Sequence, residues 1–119
     1  MENIKRLLRE AKISQSYKGY QYLLHAIRLV AENETRLCRM REEVYQKIAE
    51  MFHDNYRNVE KDIRTIRDKF WNSQGQLFLE KITGSKIDDK PYPRELIEYF
   101  VDYLKDQDQS TGEPPMPQK

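Results

Sequence analysis

The sequence is poor in the residues that make cross-links, turns and membrane spans. Its 119 residues include one cysteine, four glycines and five prolines, and no apolar run exceeds three residues. A single cysteine excludes an intramolecular disulfide and a cysteine-rich zinc site. A bilayer span needs about 20 consecutive apolar residues, so the sequence predicts no transmembrane helix. The N-terminus lacks the apolar region of a signal peptide, which favours a cytoplasmic protein.

Net charge is also nearly absent, because 21 basic residues are balanced by 20 acidic ones for a total of +1. The distribution is uneven: residues 1–71 carry +4 and residues 72–119 carry −3. A polyanion is therefore expected to prefer the first part of the chain, although this count alone does not identify one. Aromatic residues make up 11% of the chain, which is too many for a disordered protein, and the length fits one domain.

Apolar residues recur at helical spacing along most of the chain, and no stretch alternates with the period of a strand. This pattern predicts an all-α single domain of about six helices over residues 1–106. Asn-Ser-Gln-Gly at residues 72–75 predicts a helix stop with a glycine exit, and Pro93 predicts the first turn of the last helix. Residues 107–119 are polar and proline-rich, so they are expected to form a disordered tail.

No cluster of residues predicts catalysis, a metal site or a cofactor. His25 and His53 lie far apart, without cysteine or acidic residues at ligand spacing, and Cys38 has no histidine partner in the pattern. Glu42 and Glu43 are neighbours, and neighbours on a helix project about 100° apart rather than towards one another. The sequence therefore predicts a protein that is not an enzyme.

The helices predicted at residues 38–52 and 56–71 are joined by a short polar turn, which is the outline of a helix-turn-helix. In that motif the second helix enters the major groove of DNA. Its outer face here carries side chains that can contact base edges or phosphates, namely Arg57, Asn58, Glu60, Lys61, Arg64, Thr65 and Arg67. A solvated helix face with an internal Glu60–Arg64 pair remains the alternative at this point.

Several separated motifs resemble those of a known family. Residues 17–27 read YKGYQYLLHAI, and residues 44–71 carry Val-Tyr, Ile-Ala, Val-Glu-Lys and Ile-Arg in the same order and spacing as that family. With Lys90-Pro91 they resemble the DNA-binding effector domain of the stage-zero sporulation master regulator of endospore-forming bacteria, over roughly residues 3–105. The resemblance implies a six-helix domain that binds promoter DNA and regulates transcription.

The resemblance also implies which side chains meet DNA. Glu60 and Arg64 match residues that the family uses at DNA, and Lys90 falls where the family has a lysine that contacts the DNA backbone. Lys61 stands in place of a base-reading arginine. Because lysine is a point charge and arginine a bidentate fork, discrimination of guanine is expected to weaken.

Other departures from the family pattern leave two functions open. Asn58 and Thr65 replace an arginine and a histidine, and Asp62 adds a negative charge to the same helix. The leading prediction is a regulator that binds double-stranded DNA without a receiver domain in this chain, as a homodimer or as tandem copies. The alternative is a protein-interaction module of the same fold that has lost or altered DNA readout and binds a regulator protein.

Overall fold

The computed structural model describes the backbone of residues 1–112 and the side chains of residues 1–106. This part of the chain forms six α-helices and contains no β-strand, which confirms the predicted all-α single domain. The helices are α1 (Glu2–Glu10), α2 (Lys18–Glu32), α3 (Gln46–Phe52), α4 (Tyr56–Phe70), α5 (Gln76–Thr83) and α6 (Pro93–Gly112). Within residues 1–112, no helix combines the length and the apolar character needed to cross a membrane.

Helix α2 lies at the centre of the fold and packs against both α4 and α6. Its inward face buries Leu23, Ile27 and Val30 completely, at spacings that a helix brings to one side. Gly19 allows the start of α2 to approach α4 closely, because a Cβ atom at this position would lie 2.2 Å from the Asp62 carbonyl oxygen. The position of α4 on the core therefore depends on this glycine.

The segment before α3 is helical but only partly α-helical, although the sequence predicts one helix over residues 38–52. A 3₁₀ helix covers Glu34–Arg39 and a π turn covers Arg41–Tyr45 before α3 begins. The Asn33 side chain starts this segment by accepting the Thr35 N–H at 3.1 Å. The apolar stripe keeps a nearly helical period through both turns, so spacing alone predicts a single helix.

The predicted helix stop at residues 72–75 is wrong, because α4 continues through a π turn at Trp71–Gly75 into α5. Gly75 has the helical angles φ −63° and ψ −39°. A Cβ atom there would lie 2.5 Å from Cδ2 of the Phe70 ring. This glycine therefore allows a ring to pack closely against a continuous helix, and it does not mark a chain exit.

After α5 the chain turns at Gly84, which has the left-handed φ of 71°, and a loop of residues 85–92 leads to α6. Two side chains of the preceding helix fix this loop at Ile87. Gln76 Nε2 donates to the Ile87 carbonyl at 2.8 Å, and Glu80 Oε2 accepts the Ile87 N–H at 2.8 Å. The loop is thus held against the end of the α4–α5 unit.

The last helix begins at Pro93 as predicted, since proline suits the first turn of a helix. It continues to Gly112 and so runs past residue 107, where the sequence predicts a disordered tail. No proline interrupts the chain between Pro93 and Pro114, which leaves the backbone free to remain helical. The tail prediction for residues 113–119 lies outside the described residues.

Candidate nucleic-acid interface

Three residues, His53, Asp54 and Asn55, connect α3 to α4. His53 adopts the left-handed conformation with φ 56°, and the Asp54 N–H donates to the Ala49 carbonyl at 2.9 Å, which closes α3. The Asn55 side chain accepts the Asn58 N–H at 2.9 Å and caps α4. Turn and cap together fix the residue at which α4 begins.

A hydrogen-bond network ties the start of α4 to α2. The Tyr22 hydroxyl donates to Asp54 Oδ2 at 2.6 Å, and Asn58 Nδ2 donates to Asp54 Oδ1 at 3.0 Å. These bonds, with one from the Asn55 N–H, lower the pKa of Asp54 to about 2. Burial and the bond to this carboxylate raise the pKa of Tyr22. At neutral pH the network holds a carboxylate beside the positive end of the α4 dipole.

The outward face of α4 presents a row of cations. Arg57, Lys61 and Arg64 are exposed, whereas Val59 and Ile63 on the opposite face are completely buried. The apolar residues therefore attach the helix to the core, and the cations point towards solvent. This separation is the amphipathic arrangement that the apolar spacing of α4 predicts.

Contacts within this face leave its charges accessible. Arg64 Nη2 lies 3.4 Å from Glu60 Oε2, and the two side chains are 47% and 41% exposed. Thr65 Oγ1 donates to the Lys61 carbonyl at 3.2 Å. This bond involves the lysine backbone and leaves its ammonium group available. An exposed ion pair of this kind contributes about 0–1 kcal/mol, so Arg64 can exchange Glu60 for another anion at little cost.

Arg41 and Tyr56 also lie at this surface, although the sequence pattern predicts neither. Arg41 comes from the π turn before α3, and its guanidinium carbon lies 5.4 Å from the centroid of the Tyr56 ring. The guanidinium carbon of Arg57 lies 5.6 Å from the same centroid. The sequence pattern predicts Tyr56 to be the first residue of the apolar stripe of α4. Only the fold shows that its half-buried ring contacts two arginines.

Lys90 lies beside the other end of α4, where Nζ is 2.9 Å from Asp68 Oδ1. Arg67 also contacts this carboxylate, with Nε 2.8 Å from Asp68 Oδ1, and its Nη1 donates to the Pro91 carbonyl at 2.9 Å. Burial acts to raise the pKa of Asp68, but the Lys90 and Arg67 cations outweigh it and lower the pKa. Arg67 is 8% exposed, so its prediction as an outer-face residue is wrong.

Residues 4–104 match the family model described as the C-terminal domain of the sporulation initiation factor Spo0A. The chain belongs to this Spo0A C-terminal family. The match confirms the resemblance noted in the sequence and covers nearly the whole chain. The family is the DNA-binding effector domain of Spo0A, acts in transcription regulation and sporulation, and binds DNA at the 0A box. It is a regulatory family and not an enzymatic one.

Other candidate residues of this Spo0A-type domain do not converge on a chemical site. His25 packs edge-on against the Phe52 ring with centroids 5.2 Å apart, and burial, assisted by Arg28, lowers its pKa. Cys38 is exposed. Among the described residues, no three His, Cys, Asp or Glu side chains gather closely enough to hold a metal ion.

Proposed function

We propose that this chain binds double-stranded DNA through α3 and α4 used as a helix-turn-helix, with α4 in the major groove. The observation that carries the proposal is the outward row of Arg57, Lys61 and Arg64 on a helix whose other face is buried. The three-residue connector matches the short turn of the motif, and the cap leaves the first turn of α4 at the surface. With this activity the chain would act as a regulator of transcription in the cytoplasm.

Each polar residue of the face has a role that its chemistry allows. Lys61 and Arg64 contact guanine edges or phosphates, and Glu60 accepts from a cytosine amine or returns to Arg64. Asn58 gives one amide hydrogen to Asp54, which leaves its oxygen and second hydrogen for an adenine edge. Thr65 lies one turn beyond Lys61 and contacts the neighbouring base or backbone.

Lys90 belongs to the proposed interface as a contact to the DNA backbone beyond the far end of α4. Its ammonium group already pairs with Asp68, so a phosphate would share this cation with the carboxylate. We therefore expect Lys90 to contribute less to the salt dependence of binding than Lys61 does. Copies of the chain arranged in tandem, or a homodimer, would place two such faces on neighbouring sites.

The test is a binding isotherm with purified protein, a pool of random duplexes and a 0A-box duplex, at two salt concentrations with sequencing of the retained DNA. An enriched motif with a steep salt slope is expected, and weaker 0A-box binding would reflect Lys61 in place of arginine. No retention at low salt would contradict DNA binding and would favour the protein-interaction module.

Two variants locate the interface. Lys61→Ala and Arg64→Ala should each lower DNA affinity on the order of tenfold without changing thermal stability. Lys81→Ala on α5 is the matched control, because it also removes one exposed cation and should leave affinity unchanged. Normal binding by both α4 variants would refute the assignment of this face.

A further inference from the structure

The side chains of Arg41, Tyr56 and Arg57 form a compact cationic cluster at the start of α4. Both guanidinium carbons lie within 6 Å of the Tyr56 ring, at 5.4 Å and 5.6 Å from its centroid. Arg41 Nη1 also donates to the Tyr56 hydroxyl at 3.4 Å across 15 residues of sequence. The cluster therefore joins the segment before α3 to the first turn of α4.

The two arginines of this cluster are not neutralised by close ion pairs. Arg57 forms no ion pair among the described residues, where its contact is with the Tyr56 ring. In the described part of the chain, the only carboxylate that Arg41 pairs with is that of its neighbour Glu42, with Nε and Oε2 3.8 Å apart and side chains 60% and 47% exposed. Screening by water weakens such a pair. Two available positive charges thus lie beside one tyrosine ring.

The Tyr56 ring reduces the free-energy cost of holding two arginines close together for an anion. A guanidinium group near an aromatic face is attracted by the ring quadrupole, which offsets part of the repulsion between like charges. The bond from Arg41 and the charge of Arg57 lower the pKa of Tyr56, so its hydroxyl is a better donor to an anion than an ordinary phenol.

We propose that Arg41, Tyr56 and Arg57 bind one backbone phosphate of duplex DNA, and we call this cluster the phosphate clamp. The proposal rests on the proposed function, because in a helix-turn-helix the first helix crosses the DNA backbone beside the N-terminus of the second. The guanidinium forks suit the oxygens of a phosphate, and the phenol supplies a further donor. The clamp positions α4 and carries no base information.

The test is the dependence of DNA affinity on salt concentration for the Arg41→Ala, Arg57→Ala and double variants, with a random 20-base-pair duplex as probe. Loss of the one phosphate contact should lower the slope of log affinity against log salt by about one unit in the double variant, and each single variant should lower it by less, because one arginine still holds the phosphate. Arg6→Ala on α1 is the control, because it removes an exposed arginine from a helix that does not contribute to the clamp. Its slope should equal that of the wild type.

Two conservative variants separate charge from geometry. Arg41→Lys should keep the slope but lose affinity, because the charge stays while the fork and the stacking are lost. Tyr56→Phe should lose about threefold in affinity at an unchanged slope, since one hydroxyl donor is removed. Sequencing the duplexes retained by Arg41→Ala should return the wild-type motif.

The outcomes distinguish the phosphate clamp from the proposed function. A wild-type slope in the double variant, together with weakened binding by Lys61→Ala, would overturn the clamp and leave DNA binding through α4 intact. A changed motif in Arg41→Ala would also overturn the clamp, because it would show contact with a base. Absence of DNA binding by the wild type would overturn both proposals.

Discussion

Two arginines of α4 serve different purposes although they are neighbours on the same helix. Just past the middle of the helix, Arg64 is exposed and pairs at 3.4 Å with Glu60 on the surface. Less than one turn later Arg67 is 8% exposed and donates to the Pro91 carbonyl and to Asp68. The difference shows that composition alone does not assign an arginine to DNA. An arginine stays available to a partner where its acceptor is an exposed carboxylate such as Glu60, and not where it is buried against a backbone carbonyl.

The loop of residues 85–92 accounts for this difference. It passes beside the C-terminal part of α4 and brings a carbonyl and the Lys90 ammonium group to that part of the helix. In the N-terminal part of α4, Arg57 and Lys61 remain exposed, and side chains there contact the connector and the π turn before α3. The exposed face is therefore accessible for the proposed contact with DNA, whereas Arg67 at the covered end is committed to the fold.

Removing the Arg67 contacts at the C-terminal end of α4 should have the largest effect on stability. Arg67→Ala removes the donor to the Pro91 carbonyl and leaves that buried acceptor without a partner, so we expect a loss of about 2 to 3 kcal/mol in the free energy of unfolding. Chemical denaturation measures it. Lys81→Ala removes an exposed cation from α5 and should change stability by less than about 0.5 kcal/mol. Equal effects of the two variants would contradict the distinction.

Loss of the α4 cap should have an intermediate effect at the exposed end. Asn55→Ala removes the acceptor for the Asn58 N–H and should cost about 1 kcal/mol of stability. Thermal unfolding measures this loss, and DNA affinity should fall as well because the first turn carries Arg57. Asn55→Ser keeps a side-chain acceptor, so it should retain most of the stability and most of the DNA affinity. If serine behaves like alanine, the side-chain cap does not fix the start of α4.

The smallest expected effect concerns the carboxylate network at the exposed end. The folded-state pKa of Asp54 is about 2, below its ordinary value of 3.8. Its contribution to stability is therefore present above about pH 4 and is lost as the pH falls towards 2. Tyr22→Phe removes the principal donor, so the Asp54 pKa should rise towards its ordinary value in an NMR titration. Tyr20→Phe is the control, and an unchanged titration in Tyr22→Phe would contradict the network.

Much of the fold could be predicted from the sequence, because apolar periodicity identifies the faces that become buried. The stripe Val59, Ile63, Ile66 and Phe70 is buried as its spacing requires. Periodicity could not show that the helix continues through residues 72–75. A glycine that makes room for a neighbouring aromatic ring and a glycine that ends a helix look alike in sequence. Only the contact with Phe70 separates the two.

The candidate interface could be predicted in part. Arg57, Lys61 and Arg64 follow from helical spacing, because the face opposite a buried stripe is exposed. Arg41 does not follow, since its contact with Tyr56 spans 15 residues and depends on how α3 and α4 pack. The partial use of Asn58 by Asp54 likewise depends on a turn geometry that no spacing rule describes.

The most direct test measures DNA affinity and thermal stability together for Arg64→Ala and Arg67→Ala. We predict that Arg64→Ala loses affinity on the order of tenfold at unchanged stability. Arg67→Ala should lose stability but, at a temperature where it is folded, should bind DNA nearly as the wild type does. Wild-type affinity in Arg64→Ala, or wild-type stability in Arg67→Ala, would contradict the division of α4 into an exposed face that binds DNA and a buried face that holds the fold together.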